Sequence, residues 1–313
     1  MALLPPQLFP SDWNPTWSGH ETFVLRGTWL KKSYDLLLRM PTLFSRDDAF
    51  VLLGVGKNMA QSMRYWGRVT GMLTRHDNED GLMATPLGHA LFADDGWDPF
   101  LVTPTSAWLL HWQIAARAEG SWTWFYTFNL LRSGEWTVAS ICEQLAGWCA
   151  EHEWRQPAPT TLRRDVECML QCYLRPKARH ALAAEDGLAC PLADLDLIRQ
   201  MEGQHAYRLS STDQPSLPDT LVAFAIHEWV RRSGRRTVSF SELAYAPCSP
   251  GRVFRLDEDA LLTRLQRLEQ TTAGAAYFTD QAGIRQVAWQ GAVTDHTGFA
   301  LLQQAFETEV RRV

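Results

Sequence analysis

Two short runs near the N-terminus carry residue types able to act on a phosphodiester. The first is Ser18-Gly19-His20-Glu21-Thr22-Phe23 and the second is Leu53-Gly54-Val55-Gly56-Lys57-Asn58. Of the 30 basic residues only four are lysines, Lys31, Lys32, Lys57 and Lys177, and three of these stand in or beside the two runs. A compact ammonium does different work from a planar guanidinium, so this clustering in an arginine-rich chain points to phosphate or backbone contact. The alternative is an ordinary lysine-bearing surface. Between Gly19 and Lys32 the chain also supplies an imidazole and a carboxylate. Carboxylate, imidazole and ammonium together are what acid–base or metal-assisted phosphodiester chemistry requires. A His-Glu pair on a loop also occurs as a hydrogen-bonded structural pair, and both readings stay open at this level.

Several familiar chemistries are excluded. A phosphate-binding P-loop needs a glycine five residues before its Gly-Lys and a hydroxyl residue after it, where this chain has Val51 and Asn58. No nucleotide or organic cofactor is therefore expected. The loop can still offer backbone N–H groups and Lys57 at a helix N-terminus, a geometry suited to a nucleic-acid phosphate. The His-Glu pairs at His20, His152 and His227 lack the second histidine of a zinc protease helix, since Val24, Gln156 and Arg231 occupy its place. No lysine follows Pro218-Asp219 as a restriction-nuclease signature demands, and no His-x-His pair exists. The six cysteines form no Cys-x-x-Cys pair and read as reduced, buried, small apolar residues.

The elements that would position these groups are legible in outline. A helix is expected over 28–40, stopped by Pro41. Ser45 and Asp48 read as a variant capping box opening a short helix over 46–53. Gly54-Val55-Gly56 forms a turn, and a second helix starts at Lys57 or Asn58. On it Met59, Met63 and Trp66 make one apolar stripe, while Lys57, Gln61, Arg64 and Arg68 make a basic one. No acidic residue lies between Lys57 and Arg75. Two helices joined by a glycine turn, the second basic on its outer face, suggest a helix-turn-helix, with Leu82-Met83-Ala84 after a polar turn at 76–81 as a wing strand. Gly56, Lys57, Asn58, Gln61, Arg64, Tyr65 and Arg68 are the expected contacts to double-stranded DNA, phosphate first and groove second.

Farther along, helices are expected over 85–91, over 138–151, from a Thr160 cap through Tyr173, over 218–232 and over 257–268, with short strands near 277–278 and 286–289. Leu188-Ala189-Cys190-Pro191-Leu192 echoes the earlier wing strand, so a unit of helices plus a small hairpin recurs loosely. The expected architecture is mainly α with small β wings: an N-terminal winged helix-turn-helix domain over 1–105, a Trp-rich helical domain over 106–214 and a helical or winged-helix-like domain over 215–313. The basic clusters at Arg163-Arg164 and Arg231-Arg232 with Arg235-Arg236 read as solvated faces before DNA contacts. The net charge of −5 confines any nucleic-acid contact to a local basic face. With 46% hydrophobic and 21% charged residues the chain is globular, and its 14 tryptophans are expected mostly in the core. Neither a signal peptide nor a membrane-spanning run is expected, and the reading of the cysteines as reduced makes the cytoplasm the expected location.

The 18–23 motif, followed by Leu25-Arg26, Trp29-Leu30-Lys31-Lys32, the 53–59 run and Arg64-Tyr65-Trp66, resembles a bacterial family long known only as a domain of unknown function. The helix carrying Asp165 and the stretch from Cys190-Pro191-Leu192 to Leu197-Ile198 are similar to it as well. Its best-understood members are the SspB-type proteins of single-strand DNA phosphorothioation systems. The resemblance implies a DNA-binding nickase of phage defence, acting beside a cysteine desulfurase, an ATPase and a sulfur-transfer protein. On that reading His20, Glu21, Lys31 and Lys32 are the candidate catalytic residues. Glu21 is the candidate ligand of Mg²⁺ or Mn²⁺. A non-catalytic DNA-binding adaptor and a winged-helix transcriptional regulator are the rival readings.

Overall fold

Proline, glycine and the apolar stripe set the first elements. Helix α1 (Gly27–Arg39) buries Trp29, Leu30, Tyr34 and Leu37 on one face and ends before Pro41, within one residue of expectation. A 3₁₀ turn (Leu43–Ser45) then leads to α2 (Ala49–Leu52), half the expected length. The expected capping box does not form. Arg46 takes both Asp48 carboxylate oxygens, at 2.7 and 2.8 Å, so that side chain caps nothing. Helix α3 (Lys57–Val69) runs straight through Gly67, whose missing Cβ is required: it would sit 2.4 Å from the Leu73 side chain. Strands β1 (Leu73–Arg75) and β2 (Leu82–Ala84) pair antiparallel, Leu73 opposite Ala84. Thr85 caps α4 (Pro86–Phe92), its hydroxyl accepting the Gly88 N–H.

The computed structural model describes residues 13–76, 81–175 and 190–310. Most of the turn expected at 76–81, the start of the second wing-like stretch, Lys177 and the last residues lie outside these.

Helix α5 (Pro104–Ala115) is apolar on every side and buried along nearly its whole length, as a helix at the centre of a fold must be. Around it stand α6 (Trp122–Phe125) with its π-turn (Tyr126–Leu130), α7 (Val138–Glu151) and α8 (Pro159–Tyr173). Ala158, not Thr160, precedes α8, because Pro159 takes the first helical position where its lacking N–H costs nothing. A 3₁₀ segment (Pro191–Leu195) and the β3 (Ile198–Gln200)–β4 (Tyr207–Leu209) hairpin complete this part.

The last part begins with α9 (Asp219–Ser233), terminated by Gly234 in the left-handed conformation. Next come β5 (Thr237–Ser239), α10 (Phe240–Tyr245), α11 (Pro250–Val253), α12 (Glu258–Gln266) and α13 (Leu268–Thr271). The helix expected over 257–268 is thus broken at Arg267. Strands β6 (Ala276–Gln281) and β7 (Ile284–Trp289) join β5 in a three-stranded antiparallel sheet ordered β5-β7-β6, and α14 (Asp295–Val310) packs on α9. One apolar core runs from Leu25 to Phe306, and Trp66, Trp108, Trp112, Trp122 and Trp124 lie fully inside it. The chain is therefore mainly α with small antiparallel sheets. Among the described residues no helix is long and apolar enough to cross a membrane.

Candidate functional site

The 18–23 motif is a tight double turn. Glu21 N–H donates to the Ser18 carbonyl at 3.0 Å and Phe23 N–H to the His20 carbonyl at 2.9 Å. Ser18, Glu21 and Thr22 all take positive φ, at 55°, 50° and 66°, a conformation that side chains adopt only when surrounding contacts hold them. The holding group is Asp165 of α8, buried and 3% exposed. One of its oxygens accepts the Ser18 N–H at 2.6 Å and faces His20 Nε2 at 2.9 Å; the other accepts the Thr123 hydroxyl at 2.6 Å. His20 Nδ1 accepts the Thr22 N–H at 3.0 Å. That bond assigns the proton to Nε2, which donates to Asp165. Both ring nitrogens are used, and the imidazole is 1% exposed among Tyr65, Trp66 and Trp124.

The glycine of the motif has an equally specific reason. A Cβ on Gly19 would lie 2.4 Å from the Tyr65 ring, so only glycine lets the turn close on α3. The Tyr65 hydroxyl in turn donates to the Gly120 carbonyl at 2.7 Å. Burial raises its pKa well above the ordinary tyrosine range. Tyr65 is a joint between α3, the motif and the segment after α5.

These joints enclose a cleft of about 850 Å³. Its basic side chains are Arg64 and Arg68 of α3, Arg75 of β1 and Arg117 from the segment following α5; Gln61, Glu21 and Glu119 also line it. None of the four arginines has an ion pair among the described residues. Desolvation, and then the like charges of Arg64 and Arg75, hold the Arg68 guanidinium below its usual range. Four cations against two carboxylates in one concavity form an electropositive site that focuses on an anion.

The candidate residues from the sequence thus separate. Gln61, Arg64, Arg68 and Glu21 share the cleft. Tyr65 lines it too while its hydroxyl holds Gly120 O, and His20 stands behind it as a support. Gly56 precedes α3, and Lys57 and Asn58 are exposed in its first turn. The exposed Lys32 reaches the turn before that helix, its Nζ 3.8 Å from where a Gly54 Cβ would be. Lys31 is held by Asp35 at 2.7 Å and Asp94 at 3.3 Å, away from the cleft. His20, Glu21, Lys31 and Lys32 therefore do not converge on one reacting point. Arg75, Arg117 and Glu119 carried no local signal in the sequence, while Asp165 was marked by the family resemblance alone. The other basic clusters are engaged elsewhere: Arg163 with Glu167, Arg231 with Glu228 and Arg235 with Glu242. All six cysteines are free thiols, five of them buried.

Mg²⁺ is commonly held by one or two carboxylates together with substrate phosphate and water. Among the described residues no three His, Cys, Asp or Glu side chains group as a metal set. Glu21 and Glu119, both on the cleft, fit the sparser arrangement.

Fold and cleft define a mainly helical protein whose N-terminal motifs are assembled on a central helical scaffold into an arginine-lined site. The chain belongs to the family described as "Protein of unknown function (DUF4007)", whose model matches residues 17–306. It is similar over nearly its whole length to two solved structures, an SspB crystal structure and a magnesium ion-bound SspB crystal structure. Each is 28% identical, with 93% of this chain and 88% of the other covered and a TM-score of 0.83. No curated protein matches the sequence.

Proposed function

We propose that this protein is a DNA-contacting component of a phosphorothioation system of the SspB kind and that it nicks one strand to admit sulfur into the backbone. The observation that carries this reading is the set of four arginines around one cleft, none with an ion pair among the described residues, with Glu21 lining the same cleft. Arg64, Arg68, Arg75 and Arg117 neutralise phosphates, and Gln61 offers a hydrogen bond to sugar or base. Lys57 and Asn58 present the α3 N-terminus to a further phosphate, with Lys32 beside them. The order α1, α2, α3, β1, β2 supports reading this part as a winged helix-turn-helix. His20 and Tyr65 act as positioning residues that hold the motif turn against α3.

Glu21 is the residue that would hold Mg²⁺ or Mn²⁺, with Glu119, which lines the same cleft, as a second carboxylate. The ion, when bound, supplies charge at the reacting phosphate. A cysteine desulfurase, an ATPase and a sulfur-transfer protein are the partners this role requires.

A second reading, a non-catalytic adaptor that binds DNA and recruits those partners, is favoured by the absence of a three-residue acidic set among the described residues. The two are separated by incubating the protein with supercoiled plasmid and Mg²⁺ or Mn²⁺. Nicked circles are expected, and Glu21→Gln should slow their appearance by about 100-fold while leaving DNA binding intact. Nicking undiminished in Glu21→Gln removes that residue from the chemistry. Binding without nicking under both ions selects the adaptor.

A further inference from the structure

The shape of the cleft says more about its ligand than its charge does. A helix that reads a duplex must protrude: its body of about 10–12 Å enters a major groove about 12 Å wide and 8.5 Å deep. Helix α3 is not free to do this along its basic face. At its middle the Tyr65 hydroxyl is tied to Gly120 O at 2.7 Å, and Gly19 closes on the Tyr65 ring. The residues flanking these two joints, Thr16 and Glu21 on one side and Arg117 and Glu119 on the other, line the same cavity as Arg64 and Arg68. The basic face is therefore one wall of a concavity. A duplex offers its phosphates on a convex surface and can meet such a cleft only at its rim. An unpaired strand, with free backbone torsions, can bend its phosphates inward to four arginines. Electropositive grooves that track the backbone are how proteins hold single strands without reading sequence. The volume of about 850 Å³ falls within the range of about 300–1,000 Å³ occupied by compact ligand sites.

We infer that this cleft takes an unpaired DNA strand rather than the surface of a duplex, with Arg117, which the segment after α5 brings to the C-terminal end of α3, as the discriminating residue. The inference rests on the phosphate-contact reading above and narrows its substrate.

The test is fluorescence anisotropy of the full chain with a labelled 12-nucleotide strand and with the blunt duplex of the same sequence, at low salt. The strand should bind about tenfold more tightly than the duplex. Arg117→Ala should weaken the strand by about five- to tenfold and the duplex by less than about twofold. Arg117 is exposed, and a far-UV spectrum and melting curve of the variant report whether it has folded. Arg117→Lys, which keeps the charge, should recover most of the loss. Duplex binding equal to or tighter than strand binding overturns the inference and leaves the phosphate-contact reading standing. So does an Arg117→Ala loss of equal size for both ligands. Binding to neither overturns both.

Discussion

The N-terminal part, α1 to β2, and the C-terminal part, α9 to β7, are built from the same kinds of element, helices followed by an antiparallel hairpin, yet differ in what their arginines do. In the C-terminal part Arg264 of α12 contacts Asp219 and also donates to the carbonyls of Asp213, Gln214 and Leu217. Arg267 reaches the same aspartate at 3.5 Å. Helix α12 opens on Asp257, Glu258 and Asp259, a first turn that repels phosphate. In the N-terminal part the first turn of α3 carries no acid, and Arg64, Arg68 and Arg75 have no ion pair among the described residues. A helix-and-hairpin outline is thus compatible with opposite electrostatics. The acid-free first turn of α3 and the arginines gathered in one cleft leave the N-terminal part open to an anion.

The largest effect expected from breaking this arrangement is on the support of the N-terminal motif. Asp165→Ala leaves the Ser18 N–H, the His20 Nε2–H and the Thr123 hydroxyl facing no acceptor in a buried place. Stability should fall by about 3 kcal/mol, read from denaturant unfolding. A loss below about 1 kcal/mol would mean that the motif is held by packing alone.

A comparable loss, about 3 kcal/mol, is expected on acidification, through His111. Burial lowers the pKa of this residue from 6.5 to about 4, while it bonds the Tyr173 hydroxyl at 2.8 Å and the Val253 carbonyl at 2.7 Å. The depressed value means that the unfolded chain binds the proton first. The stabilisation is therefore present in full above about pH 6.5 and declines as pH falls toward 4. Because His111 links α5 to α11, the C-terminal part should loosen first. Hydrogen exchange at pH 7 and pH 4.5 can follow this, and His111→Gln should flatten the pH slope between those values.

The contrast between the two sets of arginines gives the third and smallest effect. Arg64→Ala with Arg68→Ala should weaken DNA binding by about 10- to 30-fold and make the slope of log affinity against log salt shallower by about 2. Arg264→Ala with Arg267→Ala should shift DNA affinity by less than about twofold, yet cost about 2 kcal/mol of stability because the part-buried Gln214 and Leu217 carbonyls lose their donor. If the second pair weakened binding as much as the first, the comparison would fail.

Local periodicity made α1, α3 and α7 legible, because an apolar face and a boundary residue suffice to define a helix. It also put Gln61, Arg64 and Arg68 on one face. The short helix at 46–53 was overdrawn because Arg46, two residues from Asp48, competes for the carboxylate that would have capped it. Sequence neighbourhood misled where it stood in for space. His20 and Lys31 lie eleven positions apart, but one ring is buried against Asp165 and the other ammonium is neutralised by Asp35 and Asp94. Tyr65, an expected contact, lines the cleft, but its hydroxyl is already bound to Gly120 O, a partner that no local pattern shows.

By itself the sequence determined that the chain is mainly helical, that three of its four lysines cluster beside two N-terminal motifs, and which basic residues share a helical face. Those features follow from spacing along a single helix or turn. Tertiary structure decided which ionisable groups are neutralised and which are free. Arg117 joins Arg64 and Arg68 across about fifty positions of chain, and Asp165 meets His20 across 145. Both outcomes turn on carboxylates and carbonyls that arrive from distant segments, and no local pattern encodes where those segments pack.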